Sequence, residues 1–425
     1  MRILLLSHEG DGVWLVPVLE RAGHEVAWAI KDTKYADVLK GIASPPLDEI
    51  PDHSDADLIV FDECSDGKVA DRMRRDTPVI GSSEFAENLE EDRIFGLEFM
   101  EKAGIKVPPW EGFDDVGKAT KWIKKHNQRC VFKPSGHVVD KAATYVSKDA
   151  EDMCDYLDKL TDKIKGNDFI LQEFVEGTEV STNAWFNGQD FFAIDHTLEE
   201  KKFMSGGIGP NIGCAGNIVW MPRGPDRLFN LGLGKVREQL IEANFVGPID
   251  LNTICTEGEA FGLEWTPRFG YEGTCNTMAL LPMEFGEFMY LIATGQRADI
   301  TSSKADFSAT IRVSVPPYPN EINNRKRYEG IPIHGIEPDD IESFYLSEVQ
   351  LVDGELQTVG LDGIIGAPIT TGHSIKEAVE VCEARIKKLK IPDLMWRNDI
   401  GKCCEKRYNA LERNGWLKVS HACNA

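Results

Sequence analysis

Zinc chemistry has little foothold in this chain of 425 residues: its ten cysteines include no CxxC pair and its nine histidines no HxxxH or HExxH spacing. The cysteines are scattered, only Cys403 and Cys404 being close, which reads as buried free thiols rather than a disulfide framework. Basic residues are scarce. Against 70 Asp and Glu stand 47 Lys and Arg, a formal charge of −23 that disfavours loose binding to nucleic acid or anionic membrane, since both need clustered cations. Any phosphate site must therefore be built locally. No apolar run reaches the ~18 residues of a membrane span, and the apolar start at Met1–Leu6 is too short for a signal peptide. A cytoplasmic location is expected. Internal repeats and low-complexity runs are absent. The loop Ser7-His8-Glu9-Gly10-Asp11-Gly12 lacks the GxGxxG spacing of a dinucleotide-binding turn, and its two acids would repel a phosphate.

What is present is an ordinary soluble composition, 42% hydrophobic and 28% charged, which argues against disorder. The length exceeds what one core usually organises, so two to four packed units are expected. Short apolar runs at residues 2–6, 25–30, 58–61 and 78–81 alternate with helical spans, predicting a doubly wound parallel sheet. A helix is predicted from Leu89 to Gly104, followed by a small α+β unit over 108–175. Strand-rich segments continue to Trp265, with a helix from Arg227 to Ala243 between them. After Phe307 an alternating strand, Ala309–Val315, opens a β-rich end closed by helices near Ile375–Lys390 and Gly401–Arg413. The division expected is 1–107, 108–175, 176–308 and 309–425.

Candidate chemistry concentrates in Phe261–Gly270. In an extended strand Glu264, Thr266 and Arg268 share one face, which suits a hard magnesium ion bridging nucleotide phosphates and an arginine fork on an anion. A solvated strand face with a Glu-Arg pair is the plainer alternative. Asp250 offers a second acid on a neighbouring strand. Lys133 closes the apolar strand Cys130–Lys133, where a nucleotide phosphate or only water can meet it. Residues 170–179 run from a strand into a turn whose backbone can pair with adenine, with Glu179 accepting from ribose hydroxyls; an acidic turn is the alternative. Residues 201–216, KKFMSGGIGPNIGCAG, read as a glycine-rich loop, either closing on an anion or free at the surface.

In that order these segments resemble ATP-grasp enzymes, and in detail the phosphoribosylamine–glycine ligase family. ILQEFVEGTEVS at 170–181 is similar to the family's hinge, GPNIGCAG at 209–216 to its GPNTGGMG loop, EWTPRFG at 264–270 to its EFNVRFG strand and RNDIG at 397–401 to its RKDIG. The resemblance covers about residues 80–415. It implies an ATP-grasp fold, with an N-terminal parallel-sheet domain and a C-terminal β-rich domain. The implied reaction is amide formation through an acyl phosphate, joining glycine to phosphoribosylamine with ATP and Mg2+ or Mn2+. The same chemistry on another amine, or nucleotide binding without catalysis, are the alternatives. It implies ATP contacts at Arg93, Lys133, Glu173, Val175 and Glu179, and metal ligands at Glu264, Asp250 and Thr266. Substrate contacts fall at Asn211, Gly213 and Arg268, with Lys201 and Arg268 catalytic. The implied partners are small molecules, an amino-acid carboxylate and an amine, acting on a monomer or homodimer. The departures are Thr266 for the family's asparagine, residues 7–13 for its GxGGREHAL signature, and SGHVVDKAATYV from Ser135 for its glycine-rich GLAAGKGV.

Overall fold

Four runs of apolar residues build the first sheet: β1 (Arg2–Ser7), β2 (Glu25–Ile30), β3 (Leu58–Phe61) and β4 (Val79–Ile80), all parallel in the order β2-β1-β3-β4. Both faces are covered, which is why the strands read as continuous rather than alternating apolar runs. Ile3, Leu5 and Val60 pack beneath α1 (Leu15–Arg21), while Leu4, Leu6, Ile59 and Phe61 pack with Ala70 and Met73 of α2 (Gly67–Met73). The doubly wound prediction is met. This computed structural model describes residues 1–51, 55–135, 144–164, 166–297, 300, 303–320 and 327–419.

The helix predicted over 89–104 is two helices, α3 (Glu84–Glu91) and α4 (Arg93–Lys102). Asp92 breaks them apart: its side chain accepts from the amides of Ile94 at 3.0 Å and Phe95 at 3.1 Å, an N-cap worth ~1 kcal/mol. The break sets Arg93 at the start of α4. A small antiparallel sheet follows, built from β5 (Trp110–Phe113), β6 (Cys130–Pro134), β7 (Tyr145–Val146) and β8 (Phe169–Glu173) in the order β5-β8-β6-β7. It is backed by α5 (Val116–His126) and α6 (Ala150–Leu160) through a separate core around Phe132, Phe169 and Leu157. The departure noted from Ser135 onward falls largely on residues 136–143, outside the described residues.

The large sheet begins with β9 (Thr178–Phe186), β10 (Phe191–Met204) and β11 (Ile208–Trp220). The glycine-rich stretch 201–216 is thus mostly strand. Lys202 pairs with Asn211 and Met204 with Ile208 in a long hairpin, whose tip bends at Gly206 and Gly207, φ +83° and +68°, angles that side chains disfavour. Residues 227–243 form α7 (Arg227–Leu231) and α8 (Arg237–Glu242) with a single tight turn between them, because Gly232 (φ −110°, ψ −109°) leaves the helical region. Then come β12 (Gly247–Cys255), β13 (Ala260–Thr266), α9 (Tyr271–Leu280) and α10 (Phe285–Ala293).

The strand predicted at 309–315 is interrupted at Arg312, giving β14 (Phe307–Ile311) and β15 (Val313–Ser314). Beyond it lie β16 (Glu329–Pro332), β17 (Phe344–Leu346), β18 (Val349–Val352), β19 (Glu355–Val359), β20 (Ile364–Gly372), α11 (Ile375–Ile386), β21 (Met395–Trp396) and α12 (Ile400–Arg413). The large sheet runs β13-β12-β9-β10-β11-β14-β20-β15-β21, with β17 also on β20, and β16-β19-β18 form a sheet of their own. Because β14 spans residue 308 and pairs with both β11 and β20, units 176–308 and 309–425 share one sheet. The nine cysteines among the described residues are free, and seven are buried.

Candidate functional site

Strand β13 owes its two-faced character to alternation. Trp265 points back into a core with Phe99 and donates its indole N–H to the Gly96 carbonyl at 3.0 Å. Its neighbours Glu264 and Thr266 therefore face the other way, into a cavity of about 1260 Å³ between the N-terminal, small and large sheets. All the residues singled out from the sequence line this cavity: Arg93, Lys133, Glu173, Val175, Glu179, Lys201, Asn211, Gly213, Asp250, Glu264, Thr266 and Arg268.

Their charges interlock. Arg93, at the start of α4, donates from Nη1 to Glu264 Oε2 at 2.7 Å, and its amide donates to Ser135 Oγ at 3.0 Å. Lys201 Nζ lies 3.8 Å from Glu264 Oε1 and 2.6 Å from Glu179 Oε1. Asn252, across from Glu264 in the β12–β13 register, completes the chain by donating to Glu179 Oε1 at 2.7 Å. Lys133 is buried, 6% exposed, and its Nζ donates to the Leu263 carbonyl at 3.1 Å, so the small sheet touches β13 directly.

Burial would push the Glu264 carboxyl up, but Arg93, then Lys201 and Lys133, overcome it and hold it well below the usual carboxylate range. Lys133 moves the other way. Burial, with repulsion from Arg93 and Lys201, outweighs attraction to Glu264 and lowers it to about 8. Burial alone would lower Lys201, yet Glu179, Glu264 and Glu199 raise it above its ordinary value. Three cations thus converge on the Glu264 carboxylate, with Glu179 and Glu199 beside Lys201, a local concentration of positive charge in a chain otherwise acidic.

Asp250 faces Thr266 in register, beside Asn183 of β9. Burial and the nearby Glu199 raise its carboxyl well above the ordinary range, a shift that a neighbouring cation would oppose. Arg268 follows the end of β13 and is tied by its Nε to both oxygens of Glu90 at 3.1 Å, with Tyr271 beneath its guanidinium. At the hinge, the Glu173 amide donates to the Pro109 carbonyl and that of Phe174 to Arg129, while Val175 leads into β9.

Sequence reasoning missed Asn252 and Glu90. Asn252 was findable, since it lies two positions from Asp250 on one strand; Glu90 gave no local signal, because its partner is 178 residues away. The role of Arg397-Asn398-Asp399 was also hidden. Arg397, 1% exposed, binds Asp399 at 2.6 Å, Glu200 at 2.8 Å and the Lys202 carbonyl at 3.0 Å. Asp399 in turn accepts from the Gly206 amide at 2.7 Å, and Ser205 donates to Asn398 at 2.8 Å. The motif fastens the β10–β11 hairpin over the cavity. Arg397→Met is expected to speed hydrogen exchange at residues 202–208 while the amides of α12 keep their protection. Unchanged exchange at the tip would remove this fastening role.

Residues 91–245 match the family described as Phosphoribosylglycinamide synthetase, ATP-grasp (A) domain. The chain is 24% identical to phosphoribosylamine–glycine ligase of Fusobacterium nucleatum over 353 residues, 79% of this chain and 80% of that one. The corresponding Streptococcus pneumoniae enzyme is 23% identical, over 80% and 82%. Among solved structures, phosphoribosylamine–glycine ligase of Thermotoga maritima superposes with a TM-score of 0.74 at 22% identity, covering 94% of this chain and all of that one. N5-carboxyaminoimidazole ribonucleotide synthetase of Thermus thermophilus gives 0.61 at 15%, covering 91% and 98%. The fold is thus that of the ATP-grasp enzymes.

Proposed function

We propose that the chain is an ATP-grasp ligase that joins a carboxylate to an amine, glycine and phosphoribosylamine being its relatives' pair, at the expense of ATP. The observation that carries this is the convergence of Arg93, Lys133 and Lys201 on Glu264. A carboxylate attacking a triphosphate meets like charge, so the site must supply fixed cations and an in-line geometry. In this reading Lys133 and Arg93 hold the phosphates, and the backbone of Glu173 to Val175 takes adenine. Glu179 accepts from ribose, while Lys201 and Arg268 stabilise charge on the transferring phosphoryl group and the acyl oxygen. Asn211 and Gly213, on the hairpin, line the substrate side and exclude water from the acyl phosphate.

Magnesium suits the oxygens available. Glu264 keeps lone pairs free, its one hydrogen bond here being to Arg93, and Asp250 and Thr266 pair with each other one step along the same two strands. Among the described residues no group of three or more His, Cys, Asp or Glu side chains forms a cage, so nucleotide phosphates would complete the shell. The ion would neutralise phosphate charge; orientation and exclusion of water fall to the chain's own residues. Among the described residues no helix is long and apolar enough to cross a membrane, and we place the reaction in the cytoplasm.

Nucleotide binding is expected to take up a proton above pH 8. Lys133 at about 8 in the free protein is raised by a neighbouring phosphate, so binding recruits a proton at pH 8.5 and little at pH 6.5. ATP affinity then falls as pH rises through 8. Calorimetry in buffers of different ionisation heat measures the uptake; none at pH 8.5 would remove Lys133 from the phosphates. The reaction itself is tested by ADP release with glycine across a panel of amines. ATP binding without ADP under every amine would make the chain a nucleotide-binding protein instead.

A further inference from the structure

Beyond Arg268 the cavity has a second end that a nucleotide leaves unused. Carboxylates crowd it: Glu9 and Asp11 from the loop after β1, Glu63 after β3, Glu348 between β17 and β18, and Asp362 between β19 and β20. The bases there are mostly engaged. Lys31 pairs with Asp66 at 2.5 Å, Arg268 with Glu90 at 3.1 Å and Arg312 with Glu272 at 2.6 Å, so the two arginines, already paired elsewhere, only partly offset Asp11 and Glu63. Burial and neighbouring carboxylates raise Asp11 and Glu348 to about 7 each, a cost that an arriving cation relieves.

A second observation points to a bound donor. Asp11, Asp62, Glu63, Arg268 and Tyr271 enclose a pocket of about 10 Å³ at this end, room for one water-sized group. Asp62 is 2% exposed. Its Oδ2 accepts from Ser7 Oγ at 2.7 Å and from the Gly12 amide at 2.6 Å, an approach that leaves no space for a side chain at Gly12, where a Cβ would lie 2.5 Å from that oxygen. Its Oδ1 has no partner among the described residues, and a buried carboxylate oxygen left unpaired is costly. Tyr35, Tyr271 and Tyr345 also line this end, and aromatic faces attract cations.

Resting on the ligase reading above, we propose that this end receives the amine substrate as a phosphate-free cation, a diamine or basic amino acid. One amine is acylated while the second, protonated, is held by Asp11, Asp62 and Glu63. The neutral nitrogen attacks the acyl carbon, the C–N bond forms, the C–O bond to phosphate breaks, and the surplus nitrogen proton leaves with inorganic phosphate. A phosphorylated sugar amine would instead bring a dianion to an end lined by acids.

Titration calorimetry of the full chain at 150 mM salt compares 1,4-diaminobutane with ribose 5-phosphate. The diamine is expected to bind at least tenfold more tightly, and to weaken tenfold or more in Glu63→Gln but not in the surface variant Glu25→Gln. ADP binding reports that each variant is folded. Ribose 5-phosphate binding as tightly, no binding of the diamine, or a diamine affinity untouched by Glu63→Gln overturns the proposal. This readout is independent of turnover. A chain that binds the diamine yet releases no ADP with any amine would defeat the ligase reading and leave the cation site standing.

Discussion

Glu264→Gln is expected to lower ADP release by on the order of 10²–10³-fold, the usual cost of removing one preorganised charge from a polar active site. The substitution keeps the side chain's shape and removes its charge. Arg93, now 2.7 Å from the Glu264 carboxylate, would face Lys133 and Lys201 without its counter-ion, while Lys201, now 3.8 Å away, would keep only its pair with Glu179. Lys133, already lowered by burial, would lose its principal attraction and be more easily deprotonated. The loss should appear in turnover at saturating ATP, and the metal dependence of the residual rate should weaken. A variant with normal ADP formation would mean that Glu264 is merely the anchor of an ion-pair network.

The largest effect on stability is expected at Glu272. Its carboxylate, 1% exposed, takes Arg312 in a two-pronged pair at 2.6 and 2.9 Å. Arg312 interrupts β14 and β15 and also donates to the Ile212 carbonyl and the Tyr318 hydroxyl. This pair joins α9, the hairpin and the C-terminal strands. Glu272→Ala leaves a guanidinium buried without its counter-ion, a change that costs ~3–5 kcal/mol. The urea midpoint should fall accordingly. Adding Arg312→Met should restore part of the loss, because the stranded charge goes with it. A double variant as unstable as Glu272→Ala would assign the cost to packing rather than to charge.

Much of the site was legible in the sequence because its residues sit on strands, whose two-residue period tells which side chains share a face. Glu264 and Thr266 could be put on one face from spacing alone, and Trp265 between them supplies the reason: it is the residue the core requires. Lys133 was legible as a cation ending an apolar strand, but its burial was not. That comes from contact with Leu263, 130 residues away. The glycine-rich stretch misled because glycine marks both loops and hairpin tips, and only pairing of Lys202 with Asn211 decides between them. Asp92 and Gly232 each broke a predicted helix, one by capping and one by leaving helical angles. The acid-lined end at Asp11, Asp62 and Glu63 gave the least signal. Two short loops, distant in sequence, assemble it, and in the sequence Glu9 and Asp11 argued only against a phosphate.

The central claim is that a carboxylate attacks the γ-phosphate and an amine then displaces phosphate. It is tested most directly by running the reaction with 18O-labelled carboxylate and the amine that best stimulates ADP release. The account predicts one 18O atom in each inorganic phosphate formed, because the acyl C–O bond breaks on the carboxylate's side. ADP formed with unlabelled phosphate would mean that water takes the phosphoryl group, and would contradict it.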